Sequence, residues 1–494
     1  MQEKEHNTSF VQKILQNFFW LFIQLGISRV FGFFFAVVLA RRLTQSDFGL
    51  YTYAASIIGI FLILSDMGLS TLLLREISRQ RENASEIFGR ILAAKLPMAL
   101  FAYLVFGVVL FISPPKGARF TVLLLAAAFF LESAAKFVSV PFKAAEQMQY
   151  LPFGDFVFKL FLLAGALLFV NLEHGLLSVS LIYIAGSVIY LLFYTWLFFK
   201  HFRYVHAISN VRIFFSNLYN EIRNSFPIAL GGLILVVYIN TDIIILRWLK
   251  GDAVTGAYGV SYIFYLGLGI IASMLVQAIL PRLSASIEKN QTGTAETVLR
   301  ATTKLLFLVS LPIALGGILV SKELITFLYG AQYLSSNTAF RLFMLTIVFN
   351  FLNTLFSYYL FVDRKQNEIN AIYLVSICIN IILNILLIPK YSLGGAAFAT
   401  LSAEISFALL YIVRHPSFIR FFNIKWIWRA MLAASAMSVG VYWARGYLHV
   451  LLVVLCGGIV YALLLTIAKT FKNEQAILRF IIKGIRTDEK NLAG

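Results

Sequence analysis

The sequence predicts an all-α membrane protein of about fourteen transmembrane helices, on three observations. Only 13% of its 494 residues are charged and 60% are hydrophobic, with a mean hydropathy of +0.83, whereas about a quarter of a soluble domain is charged. Between Asp252 and Arg282 lie twenty-nine residues without one charged side chain, and uncharged runs recur at Leu96–Pro115, Gly175–Phe199, Leu342–Val362 and Ile369–Pro389. These runs exceed the ~10 residues of a barrel strand and reach the ~20 a spanning helix needs; backbone groups in hydrocarbon must also be satisfied within their own segment. Helices are the only fit.

Taken in order, the first two spans lie near 14–39, after the polar stretch Met1–Lys13, and 50–74, between Arg42 and Arg75. The next four, near 91–113, 119–142, 150–171 and 175–199, end on a basic connection that opens at Lys200. Spans seven to ten, near 224–249, 254–281, 302–321 and 340–362, are parted by Lys250, Arg282 and Lys322. The last four lie near 368–389, 392–413, 427–445 and 448–468. Met1–Lys13 carries no cleavable signal pattern, so the first helix is expected to stay in the mature protein. Cys378 and Cys456 are isolated thiols at membrane depth and define neither a disulfide framework nor a metal site.

The formal charge of +18 follows topology. With the N-terminus placed in the cytoplasm, 29 of the 41 Lys and Arg fall on inner loops and helix ends, 9 on outer ones and 3 within spans; this is the positive-inside asymmetry. It predicts a multi-pass protein of the cytoplasmic (inner) membrane with both termini cytoplasmic, touching anionic lipid and no nucleic acid.

An internal echo divides the chain. Gly49-x-Tyr51, followed after twenty-three residues by Arg75-Glu-Ile-Ser78, is answered by Gly256-x-Tyr258 and, at the same distance, Arg282-Leu-Ser284. Arg-x-Leu precedes each, and Leu96-Pro-Met-Ala-Leu100 is answered by Leu311-Pro-Ile-Ala-Leu315. Matches in the same order predict two six-helix lobes in parallel repeat, 1–208 and 209–420, with helices thirteen and fourteen and a tail in 421–494. Parallel repeats enclosing a substrate site between them are one plan of secondary transporters. The connection from Lys200 to Arg223 and the tail from Lys469 mix basic with apolar residues and read as amphipathic segments at the inner leaflet.

Charges at membrane depth, costing roughly 2.5–3.5 kcal/mol each, are the candidate site. Glu132 with Lys136, and Asp155 with Lys159, stand four apart, acid first, and are expected either to pair on their own helices or to face a watery cavity. Arg29 has no partner on its own helix; it either bridges to Asp66 or faces the cavity as part of an anion site, with Asp66 near it as a protonation switch. The anion-binding candidates are Arg29, Lys136, Lys159 and Arg247, although Arg247 near a helix end also suits snorkelling. Asp66, Glu132, Asp242 and Glu404 are the candidates for ion coupling. Asn350, Asn353, Asn380 and Asn384 suit either sugar hydroxyls or interhelical packing. Pro97, Pro141, Pro227 and Pro312 permit bends. No phosphate-cradling Gly-x4-Gly-Lys-Ser/Thr loop, His-Glu-x-x-His motif or catalytic serine elbow is present, so no cofactor is expected and energy would come from an ion or substrate gradient.

The run Ala40-Arg-Arg-Leu-Thr-Gln-Ser-Asp-Phe-Gly-Leu-Tyr51, with Ser65-Asp-Met-Gly-Leu69 and Leu74-Arg-Glu-Ile-Ser78, resembles the first two helices of the polysaccharide and oligosaccharide flippases of the multidrug/oligosaccharidyl-lipid/polysaccharide exporter superfamily. Phe226-Pro-Ile-Ala-Leu230, Asp242-Ile-Ile-Ile-Leu246, Gly256-Ala-Tyr258 and Leu280-Pro-Arg-Leu-Ser284 are similar to the seventh and eighth helices, and Leu328-Tyr-Gly330, Asn384-Ile-Leu-Leu-Ile-Pro389 and Gly394-Gly-Ala-Ala397 extend the likeness over roughly residues 10–415. The resemblance implies two six-helix lobes around a cationic cavity and the movement of a polyprenyl-diphosphate-linked oligosaccharide to the outer leaflet, without catalysis. It also implies a glycan polymerase and glycosyltransferases as pathway partners; a monomer is expected, since each half supplies the other wall. A multidrug or metabolite antiporter, a lipid II flippase and a membrane glycan polymerase or glycosyltransferase are the rival readings.

Overall fold

The computed structural model describes residues 2–112, 118–170, 175–202, 211–289 and 291–468, with side chains throughout except at 2–15, 18, 211–219, 224, 227, 228 and 292. Much of the expected amphipathic linker, the basic tail from Lys469 and the ring of Pro227 lie outside the described residues. In chain order the α-helices are α1 (Gln2–Arg42), α2 (Gln45–Asp66), α3 (Leu69–Arg79), α4 (Ala84–Ile112), α5 (Arg119–Val138), α6 (Val140–Ala144), α7 (Tyr150–Phe169) and α8 (Gly175–His201). They continue as α9 (Val211–Lys250), α10 (Asp252–Glu288), α11 (Thr292–Leu319), α12 (Ser321–Tyr329), α13 (Asn337–Val362), α14 (Gln366–Arg414), α15 (Ile424–Ala444) and α16 (Val450–Ile467).

Among the described residues, twelve helical stretches are long and apolar enough to cross a membrane. One of them, α14, has 49 residues, about 74 Å at 1.5 Å per residue and more than twice a hydrocarbon core. It bends at Ser392 (φ 53°, ψ −133°), three residues after Pro389, and its two arms are the expected eleventh and twelfth segments. The helix α15 stands outside the twelve, with Lys425 and Arg429 in its opening turns. With it, twelve of the fourteen expected segments fall on single helices or helix arms, while 50–74 is divided between α2 and α3 and 119–142 between α5 and α6.

The motif residues make the corners. Thr44 caps α2, its Oγ1 accepting the Asp47 N–H at 3.1 Å and donating to the Asp47 carboxylate at 2.8 Å, which satisfies an otherwise orphaned first-turn donor. Met67 (φ 44°) and Gly68 (φ 78°) are both left-handed and end α2. Asp66 then accepts from the Ser70 N–H at 3.4 Å and the Ser70 hydroxyl at 2.5 Å, starting α3. That helix is amphipathic and buries Leu69, Leu72, Leu73 and Ile77. Pro97 and Pro312 lie inside α4 and α11. Pro141 differs from expectation: the 119–142 span breaks at Ser139, and Pro141 sits in the first turn of α6, where a missing N–H costs nothing.

Packing divides the chain into two compact units, Phe10–Gly259 and Val260–Gly494 with Met1–Ser9. In the first, α9 packs on α2, α3 and α4, and α8 packs on α5 and α7, so by packing the N-terminal unit runs past the repeat boundary at 208/209. In the second, α13 packs on α11 and α14, and α15 on α11 and α16.

The two copies of the Gly-x-Tyr motif meet each other inside the first unit. A Cβ on Gly49 would lie 1.8 Å from the Asp252 carbonyl oxygen and 2.7 Å from the Gly256 nitrogen; one on Gly256 would lie 2.1 Å from the Gln45 carbonyl oxygen. The helices α2 and α10 therefore cross with their backbones in contact. Arg247 and Asp252 close the adjoining α9–α10 turn with a 2.6 Å ion pair, and the guanidinium lies 4.0 Å from the centre of the Tyr53 ring. Gly49→Ala and Gly256→Ala should each destabilise the protein by about 3 kcal/mol or more, since backbone cannot step aside as a side chain can. Gly32→Ala, whose Cβ would meet nothing within 4 Å, should change stability by less than ~0.5 kcal/mol; thermal unfolding in detergent compares the three.

Candidate functional site

Within the N-terminal unit, one group of in-span charges gathers on α1, α5, α6 and α7. Glu132 and Lys136 stand one turn apart on α5 and pair at 2.7 Å, as their spacing predicts. Lys159 on α7 reaches the same carboxylate at 3.9 Å and lies 4.7 Å from the centre of the Phe158 ring. Arg29 on α1 is close enough to both lysines to repel them; among the described residues no carboxylate lies within ion-pair distance of it. Lys143 on α6 joins the cluster, within electrostatic reach of Lys136 and Asp155. Lys136 and Lys159 share the Glu132 carboxylate, and counted together with Arg29, Lys143 and Asp155 the group holds four cations and two carboxylates, a formal charge of +2.

Exposure shows which of these groups are open. The Lys136 side chain is 60% exposed although it is ion-paired, while Glu132 and Lys159 are 12% and 15% exposed; Arg29 is exposed. An exposed cation within a span must meet water or a polar ligand, because facing hydrocarbon would cost roughly 2.5–3.5 kcal/mol.

Two of the pairings weighed for these charges do not form, and Arg247 does not sit as a snorkelling side chain would. Asp155 does not pair with Lys159: its carboxylate accepts from the Tyr190 hydroxyl at 2.5 Å and the Gln24 amide at 3.3 Å, and Lys159 turns to Glu132 instead. Asp66 does not bridge to Arg29, because Lys95 on α4, buried and adjacent, takes it at 2.5 Å. That frees Arg29 for the charge cluster and leaves Asp66 as the cap of α3. Arg247 does not snorkel; it is 7% exposed and held by Asp252 and Tyr53, on other helices than the cluster. Asp242, separate from Arg247 as expected, accepts from the Tyr258 hydroxyl at 2.9 Å.

In the C-terminal unit Glu404 is 4% exposed. Its carboxylate accepts from the Tyr265 hydroxyl at 3.0 Å, the Asn350 amide at 3.2 Å and the Asn353 amide at 2.6 Å. Three helical segments, α10, α13 and the second arm of α14, are joined through this one carboxylate. Asn384 donates to Asn380 at 3.0 Å, both buried. The amides of Asn350 and Asn353 are thus engaged between helices, and those of Asn380 and Asn384 within one. Among the described residues no group of three or more His, Cys, Asp or Glu could hold a metal ion.

Sequence reasoning missed Lys95, Lys143, Gln24, Tyr190 and Tyr265. Lys95 and Lys143 lie toward helix ends, where a basic residue reads as topology; the other three are uncharged and carry no signal until a neighbouring helix brings them to a carboxylate.

The described polysaccharide biosynthesis protein family matches residues 14–287, and that of the lipid II flippase MurJ matches residues 156–463. The chain is 22% identical over 391 residues to the capsular polysaccharide biosynthesis protein CapF of Staphylococcus aureus, covering 78% of this chain and 94% of that one. It is 24% identical over 420 residues to the probable low-salt glycan biosynthesis flippase Agl15 of Haloferax volcanii, covering 82% and 84%. Among solved structures, lipid II flippase MurJ in an inward closed conformation aligns with a TM-score of 0.73 at 16% identity over 91% of this chain and 98% of that one. An inward-facing multidrug resistance MATE family transporter of the MOP superfamily aligns at 0.63 and 12% identity over 81% and 98%. These structures share the fold, and with more than half of its length matched in sequence the chain belongs to the polysaccharide biosynthesis protein family.

Proposed function

We propose that the protein is a flippase that carries a polyprenyl-diphosphate-linked oligosaccharide from the cytoplasmic to the outer leaflet by alternating access, driven by an ion gradient. The observation that carries this reading is the surplus of cations around Arg29, Lys136, Lys143 and Lys159 within the spans of the N-terminal unit. A diphosphate cannot enter hydrocarbon unassisted, and a reachable cluster of cations replaces its hydration while the lipid tail stays in the bilayer. The names of the matched glycan proteins and of the family support the same substrate class.

The rival readings separate on charge and on family. A carrier of cationic drugs would place spare carboxylates where this chain places spare cations. A lipid II flippase shares both the fold and the diphosphate, and the match to the MurJ family over residues 156–463 favours it as the second reading. Glu404, buried and joined to three helical segments, is the coupling carboxylate of the proposal; Asp66, Asp242 and Glu132 are engaged in caps, a tyrosine bond and the cation cluster.

The deciding measurement is a leaflet assay in liposomes, following the accessibility of a labelled polyprenyl-diphosphate oligosaccharide, with lipid II in a parallel arm. Transport of the oligosaccharide by the wild type is expected, with Arg29→Ala and Lys136→Ala each slowing it about tenfold or more, the loss of one charge-assisted contact. Transport of lipid II alone would replace the substrate, and full activity in both variants would remove the cluster from the path. Glu404→Gln, which keeps the side chain's shape, should abolish stimulation by an imposed ion gradient while leaving slow, gradient-independent exchange; a variant still stimulated as the wild type is would exclude Glu404 from coupling.

A further inference from the structure

We infer that Glu132 is the resident counter-anion of the cation cluster: it occupies the place of the phosphate when the site is empty and gives up Lys136 when substrate arrives. This rests on the diphosphate reading and goes beyond it by assigning a residue that sets how tightly the anion is held and how readily it leaves.

Geometry puts the carboxylate where an anion is needed. It is 2.7 Å from the Lys136 ammonium and 3.9 Å from that of Lys159, so it lies between two of the cations that a phosphate would use. The two partners of the ion pair are unequally open, Lys136 at 60% exposed and Glu132 at 12%. An incoming anion therefore reaches the ammonium from its open side, with Glu132 behind it. Lysine carries a compact charge on a flexible four-carbon stem, and Lys136 can turn from Glu132 to a ligand by side-chain rotation alone, without moving α5.

The released carboxylate keeps other company. Lys159 remains beside it, and the hydroxyls of Tyr51 on α2 and Tyr183 on α8, bonded to each other, lie within its electrostatic reach, as does Tyr190 on α8. A diphosphate brings roughly two or more negative charges against the one of Glu132, so the ligand prevails when present. Once it leaves, Glu132 recaptures Lys136. Without the carboxylate, Lys136 and Lys159 would lose their ion-pair partner and keep only the field of Asp155, which is itself bonded to Tyr190 and Gln24: the empty state would become costlier and a bound phosphate would be held more firmly. Differential affinity between empty and loaded states governs any such cycle.

The test compares wild type, Glu132→Gln, Glu132→Asp and Arg29→Ala as purified full-length protein in lipid nanodiscs, titrated with inorganic pyrophosphate at fixed ionic strength and then followed in the leaflet assay. Glu132→Gln should bind pyrophosphate about tenfold tighter and, in transport, lower KM and kcat together; Glu132→Asp, which keeps the charge, should stay within about threefold of wild type in both. Equal or weaker pyrophosphate binding by Glu132→Gln, with Arg29→Ala weakened, would overturn the counter-anion role and leave the flippase reading standing. Pyrophosphate binding by none of the proteins would overturn both. A Glu132→Gln variant that lost kcat with unchanged KM and unchanged pyrophosphate affinity would make Glu132 a support of the fold, against the inference.

Discussion

Charge placed in hydrocarbon has to be answered, and most of the polar architecture of this protein is a set of answers. Asp66 is answered by Lys95, Arg247 by Asp252, Glu132 by Lys136 and Lys159, and Glu404 by hydroxyl and amide donors. The first two answers coincide with corners of the chain, the α2–α3 break and the α9–α10 turn, so neutralising the charge and fixing the corner are one act. Glu404 stands at no corner and ties segments that are remote in sequence. Among the described residues no carboxylate lies within ion-pair distance of Arg29, which leaves its positive charge beside the Glu132 pair.

The two units differ in the polar groups they bury. The N-terminal unit concentrates charges, with α1, α5, α6 and α7 converging on two carboxylates. The C-terminal unit concentrates neutral polar groups around one buried carboxylate, beside the stacked rings of Tyr265 and Phe343 at 5.0 Å. Ionic clusters tolerate exchange of partners because long side chains can turn. A network of short amides and hydroxyls is stiffer, since each donor has one good geometry.

The fold was almost fully legible in the sequence, because crossing a bilayer leaves a signal of the same length as the element itself. The apolar segments needed no tertiary knowledge, although the breaks at Met67–Gly68 and at Ser139, which divide two of them, left no mark in the hydropathy. Pairings were legible only where both partners shared a helix turn, as with Glu132 and Lys136; even this rule failed for Asp155 and Lys159, because Tyr190 from α8 reached Asp155 first. Arg29 and Asp66 looked complementary by depth alone, and Lys95, counted with the helix ends, was the closer partner. Choices among neighbours at similar depth depend on rotation about helix axes, and an apolar composition leaves that rotation almost unmarked.

The meeting of Gly49 with Gly256 has a mechanical meaning. Where two helices touch through side chains, rotamer changes let one slide across the other in small steps. Main chain resting on main chain offers no such compliance: α2 and the start of α10 can tilt about the point of contact or part from it, yet they cannot shear past one another. That point fixes the register of α2 against the start of α10, and the turn closed by Arg247 and Asp252 is held in place with it.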